Sequence, residues 1–252
     1  MTIGHDQFWG IMRTLPGEAY HEKLVNFEGV LSNHGHDLRS FCHGVFGDTR
    51  FHDWPIRKAD FTVELLTDRL SPISWRFIRD KLRTLAYLTD RRHPEEYAFD
   101  IVLNWLAEEL IIGEIEGYAG EGVSVKLVGI DSERELLSLN IRAKADIEIL
   151  RNGYPLLIDI FADHKGTWVK NGYMDLKRGK VNHFNKGELD YVLGLDLQNS
   201  GWYLVDSSQV VGLEFSPNPA MGGTLTVRVP IGEPMSIREI VRILCASDQS
   251  VH

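Results

Sequence analysis

From Leu137 to Ile149 the chain alternates without a break: Leu137, Leu139, Ile141, Ala143, Ala145, Ile147 and Ile149 are apolar, and Arg142, Lys144, Asp146 and Glu148 fall between them. A period of two over this length specifies a strand buried on one face, because successive side chains in a strand point to opposite sides of the sheet. Asn152-Gly153 follows, a pair suited to the two-residue turn in which both positions take positive φ. Leu156 to Phe161 then returns as an apolar run. The region must fold as an antiparallel hairpin, and a hairpin with one apolar face needs further layers to cover it.

The rest of the chain supplies them. Pro94 opens a helix with Glu95 and Glu96 in its first turn, where the helix dipole favours negative charge. From Tyr97 to Ile112 this helix is apolar almost all round, so it is expected to be buried. Its polar interruption is a row at four-residue spacing, Glu96, Asp100, Asn104 and Glu108, and each member taken singly is expected to face water. After Gly113 the period changes to two, with strands expected at Val123–Leu127, Trp202–Val205, Val210–Phe215 and Thr224–Val229. Ser236 and Glu239 form a capping box that starts a last helix, Ile237 to Ala246. Residues 1–92 read instead as helices and loops, including an amphipathic helix from Ser74 to Thr89. The expected fold is α/β: a core over 93–252 with a mixed central sheet between helices, and a helical N-terminal region over 1–92.

Within the hairpin, Asp159 is the costly residue. It sits in an apolar run, and a buried carboxylate requires a cation, a metal ion or several hydrogen bonds. Asp146, on the neighbouring strand, is placed to converge with it on one cation. Asp146 and Glu148 share a strand face with Lys144.

Ala145-Asp146-Ile147-Glu148-Ile149, a short turn and Leu157-Ile158-Asp159-Ile160-Phe161 together resemble the catalytic hairpin of the PD-(D/E)XK nucleases. The order of elements and the segment Pro217 to Gly223 are similar to type II restriction endonucleases of the EcoRV/HincII/HpaI kind. The resemblance spans about residues 94–230. It implies a restriction-endonuclease-like core, cleavage of double-stranded DNA by a homodimer, and Mg²⁺ as cofactor with Mn²⁺ as substitute. It also implies metal ligation by Asp146 and Asp159. Asp100, from the helix, is the preferred third acid, and Glu148 offers a further carboxylate. The family places a lysine two residues after the second acid; here that position is Phe161. Lys144 is the first substitute for the missing amine and Lys165 the second.

Net charge is −9, from 36 acidic and 27 basic residues. Against that background Lys165, Lys170, Lys177, Arg178, Lys180 and Lys186 form a local basic run, interleaved with Trp168, Tyr173, His183 and Phe184. It follows the hairpin directly, where DNA phosphates would lie, and is expected to contact them. Arg76, Arg79 and Arg83 form a second basic stripe, for which a solvated helix face is the favoured reading. His34, His36, Cys42, His43 and His52 match no zinc spacing. Two cysteines, no signal-like N-terminus and no long apolar run lead to a cytoplasmic expectation without a membrane partner. Two other readings stay open: a catalytically silent DNA-binding protein on the same fold, and an acidic interaction protein that does not bind nucleic acid.

Overall fold

The structure, a computed structural model, describes residues 18–46, 94–120, 122–129, 145–163 and 165–246. The helix at 74–89, the Arg stripe, His52, Lys144 and most of the long alternating run lie outside the described residues. Two helices come first, α1 (Glu18–Asn33) and α2 (Leu38–Phe46), followed by the long α3 (Pro94–Tyr118). The chain divides into two compact units within α3: described residues up to Leu106, with Ala220–Gly222, belong to one, and the other described residues from Ala107 onward to the second.

In the first unit Leu24, Phe27, Val30 and Leu31 of α1 are buried, spaced at three and four residues as a single helix face requires. Phe27 meets Phe41 of α2 edge to face at 6.3 Å between ring centroids. Cys42 is fully buried, and the exposed His36 ring lies tilted against Phe41 at 5.6 Å between centroids. Along α3, Leu103, Trp105, Leu106, Ala107, Ile111 and Ile115 are almost or completely buried, as the all-round apolar character requires. The helix runs on to Tyr118, six residues past its expected end at Ile112. Neither Gly113 nor Gly117 stops it: a glycine lowers helix propensity by about 1 kcal/mol, which the packing of Ile111 and Ile115 outweighs.

The second unit is built on a five-stranded mixed sheet. Its strands are β1 (Val123–Leu127), β2 (Ile147–Arg151), β3 (Tyr154–Asp163), β5 (Tyr191–Asp196) and β6 (Gly201–Asp206), adjacent in that order. β3 and β5 pair in parallel and the other neighbours are antiparallel. The expected hairpin is β2–β3, with Ile147 opposite Ile158 and Arg151 opposite Tyr154. Asn152 has φ 50° and Gly153 φ 86°, the two positive values its turn needs.

The crossover from β3 to β5 carries α4 (Thr167–Asn171), β4 (Tyr173–Lys177) and α5 (Arg178–Asn185). β4 joins a second, three-stranded sheet with β8 (Thr224–Pro230) and β7 (Ser216–Asn218), in the order β4-β8-β7. The expected strand at Val210–Phe215 is not one: Gly212 turns at φ 81°, and pairing begins only at Ser216. The last helix, α6 (Ile237–Cys245), starts with the expected capping box: the Ser236 side chain accepts from the Glu239 N–H, and Glu239 accepts from the Ser236 N–H at 2.8 Å. Met174, Leu176, Val181, Phe184, Val192, Tyr203, Val205, Val227 and Val229 join both sheets and α5 in one core, with Leu157, Phe161 and Trp168 packed on it. The observed fold is therefore α/β with two sheets and helices. Among the described residues no helix is long and apolar enough to cross a membrane.

Candidate metal centre

Asp159 lies midway along β3, between Ile158 and Ile160, and only 2% of its surface is exposed. β3 is flanked by β2 on one side and β5 on the other, and both its faces are covered at this point, so the carboxylate has little access to water. Asp146 stands one residue before β2. Its backbone N–H donates to the Ile158 carbonyl at 2.9 Å, and its carboxylate Oδ2 accepts from the Ile160 N–H at 2.7 Å. Asp146 thus bonds to the residues on either side of Asp159, and this brings the two acids together.

The electrostatic consequence is large. Burial pushes the Asp159 carboxyl well above the ordinary carboxylate range, and the charge of Asp146 pushes it the same way. Lys180 opposes both, its Nζ donating to Asp159 Oδ1, and the net shift is still upward. Asp159 Oδ2 is enclosed and no donor group reaches it, while the Asp146 carboxyl lies within hydrogen-bonding reach of Asp159 and raises its pKa further. A buried acid beside a half-buried one, with a single lysine between them and solvent, is a site short of positive charge.

Other buried carboxylates of the second unit are already satisfied. Asp163 accepts from the N–H groups of Lys165 and Trp168 and from the Thr167 hydroxyl, which fixes the start of α4. Asp196 accepts from the N–H groups of Gln198 and Asn199 and from the Asn199 side chain. Among the described residues, Asp159 is the one carboxylate with a buried oxygen that no donor group reaches.

The remaining sequence candidates fall in different places. Glu148 faces Lys126 across β1–β2 and pairs with it at 2.7 Å. In the first unit Asp100, 5% exposed, pairs with Lys23 of α1 at 2.6 Å; Glu108, in the second, is equally buried. The polar row of α3 is therefore not a water-facing stripe at these positions, and Asp100 already has a cation. Lys165 is exposed beyond the end of β3, its backbone held by Asp163. Lys170, Lys177, Arg178 and Lys186 are exposed along the crossover. Lys180, from the middle of the same basic run, turns inward to Asp159.

That contact was missed by sequence reasoning. Its signal was present, however: Val181 and Phe184 are the two buried residues of α5, three apart, and they fix the helix's rotation on the core. Lys180, the residue before Val181, is thereby carried toward the sheet.

Mg²⁺ is commonly held by one or two carboxylates, with waters and substrate phosphates completing its shell. The Asp146–Asp159 pair, with an Oδ2 that no donor reaches, fits that pattern. No group of three or more metal-capable side chains occurs among the described residues. No protein-family model matches this chain, and no curated protein matches it.

Proposed function

We propose that this chain is a metal-dependent endonuclease that hydrolyses phosphodiester bonds of double-stranded DNA, with Asp146 and Asp159 holding Mg²⁺ or, as a substitute, Mn²⁺. On this reading the β2–β3 hairpin with its crossover is a restriction-endonuclease-like core. The observation that carries the reading is the buried Oδ2 of Asp159, which no donor group reaches, beside the Asp146 carboxylate. A structural acid would be expected to have its oxygens satisfied, as Asp163 and Asp196 do.

The ion would supply Lewis-acid polarisation of the scissile phosphate and lower the pKa of a water for attack. The chain's own residues do the rest. Asp146, anchored by the Ile160 N–H, gives the pair a fixed geometry, and the walls of β3 keep bulk water away from Asp159. Lys165, Lys170, Lys177, Arg178 and Lys186 put positive charge beside the hairpin, where phosphates would be bound. In a protein of net charge −9 such local placement is what makes DNA binding workable. Cleavage at a short two-fold-symmetric sequence by a homodimer is the form of the activity that the hairpin's resemblance implies.

One observation favours a second reading, a catalytically silent DNA-binding protein: Lys180 already neutralises one oxygen of Asp159. Incubation of supercoiled plasmid with purified protein in Mg²⁺, Mn²⁺ or EDTA separates the two. The nuclease reading expects nicked and linear DNA in either metal and none in EDTA. Salt-sensitive DNA binding with intact plasmid in both metals would favour the silent protein, and absence of binding would leave an interaction protein.

A further inference from the structure

We propose that Lys180, on a helix of the crossover, supplies the amine of this site in place of the side chain absent at Phe161; this rests on the nuclease reading above. Three observations lead there. Lys180 Nζ donates to Asp159 Oδ1, so the amine sits at one of the two carboxylates assigned to the ion. The same Nζ stands 5.7 Å from the centre of the Phe161 ring, so it occupies the neighbourhood that a lysine at position 161 would serve from the strand. Finally, Lys180 is held there by the fold, because Val181 and Phe184 bury one face of α5 in the core.

Phe161 has a role in this arrangement. It packs on the core and presents a ring to the ammonium, a contact that favours a cation over a neutral group. The lysine's side chain is 19% exposed against 3% for that of Asp159, so it lies on the solvent side of the pair, the side from which a phosphodiester must approach.

In the reaction, water oxygen bonds to phosphorus while one ester P–O bond breaks. The water's proton passes to solvent, and the departing oxygen takes a proton from water, so one water is consumed per bond cut. Lys180 keeps its own protons throughout. It donates hydrogen bonds to the phosphate as negative charge builds on it, a contribution that is larger in a water-poor site than in bulk water. In the absence of an ion and substrate, the same ammonium neutralises Asp159.

The test compares wild type with Lys180→Met, Lys180→Gln and Lys180→Arg, each checked by thermal melting. Single-turnover cleavage in Mg²⁺ is measured beside Mn²⁺ affinity and DNA binding in Ca²⁺. Lys180→Met and Lys180→Gln should each lose at least about 100-fold in rate, the usual scale for removing one such donor. Their Mn²⁺ affinity should be unchanged or tighter, since a competing cation has gone, and DNA binding should move by only a few-fold. Lys180→Arg should recover part of the rate. Cutting by Lys180→Gln at the wild-type rate would overturn the assignment and leave the nuclease reading standing. Loss of Mn²⁺ affinity in step with rate would also overturn it, making Lys180 a positioning residue for Asp159. A wild type that binds Mn²⁺ and DNA but cuts nothing overturns both.

Discussion

A carboxylate enclosed by sheet on both sides must be stabilised by something positive, and Asp159 is only half provided for. Its folded carboxyl titrates above its ordinary range because of burial first and Asp146 second. A carboxyl of that kind favours the fold fully below its unfolded pKa, and the contribution is lost as pH rises through the folded value. The metal-free wild type should therefore lose stability relative to Asp159→Asn as pH is raised from about 4 toward 8, read as a widening gap in Tm. Mn²⁺ should reverse the order at neutral pH, raising the Tm of wild type by mass action and leaving that of the variant unchanged. A metal-independent Tm in both proteins would contradict the site. Much of this was legible at the residue scale: an Asp in an apolar run facing another Asp across an Asn-Gly hairpin already requires a cation. The partner was not. Lys180 is distant in sequence, and only the helix rotation set by Val181 and Phe184 directs it inward.

At the scale of elements, the crossover between β3 and β5 does two jobs with one basic run: Lys180 points in, and its neighbours remain on the surface. Replacing both Lys177 and Arg178 with alanine should weaken DNA binding and lower the salt slope by about two, one for each phosphate that is no longer neutralised. An unchanged slope in fluorescence titrations would make the run a solvated face. The crossover also depends on close packing. A Cβ at Gly194 of β5 would come within 2.6 Å of the Trp168 ring of α4 and 2.5 Å of the Met174 methyl. The methyl can swing aside but the ring is fixed against Tyr203, so Gly194→Ala should cost about 1–3 kcal/mol in urea unfolding. Wild-type stability in that variant would mean that Trp168 is loosely held. These elements explain what the sequence concealed. β5 is an unbroken apolar run because it is covered on both faces and paired on both edges, which erases the period of two. Val210–Phe215 erred the other way, its apolar spacing interrupted by a glycine turn. The hairpin, β8 and α6 were readable because turn or cap chemistry marks an end of each.

On the scale of the whole molecule, the net charge of −9 opposes DNA, so binding has to come from the local basic face and should collapse as salt rises. A homodimer matched to a two-fold site predicts two chains per duplex, measured as the mass of the complex by light scattering; one chain per duplex would contradict it. The Mn²⁺ response of Asp159 and the role of Lys180 both depend on Asp146 and Asp159 together holding a divalent ion. Anomalous diffraction from crystals grown with Mn²⁺ and a DNA duplex tests it directly. The account predicts an anomalous peak within bonding distance of an oxygen from each carboxylate, with Asp159 Oδ2 among them and Lys180 released toward the phosphate. Both acids free of any peak, with Lys180 still bonded to Asp159, would contradict it.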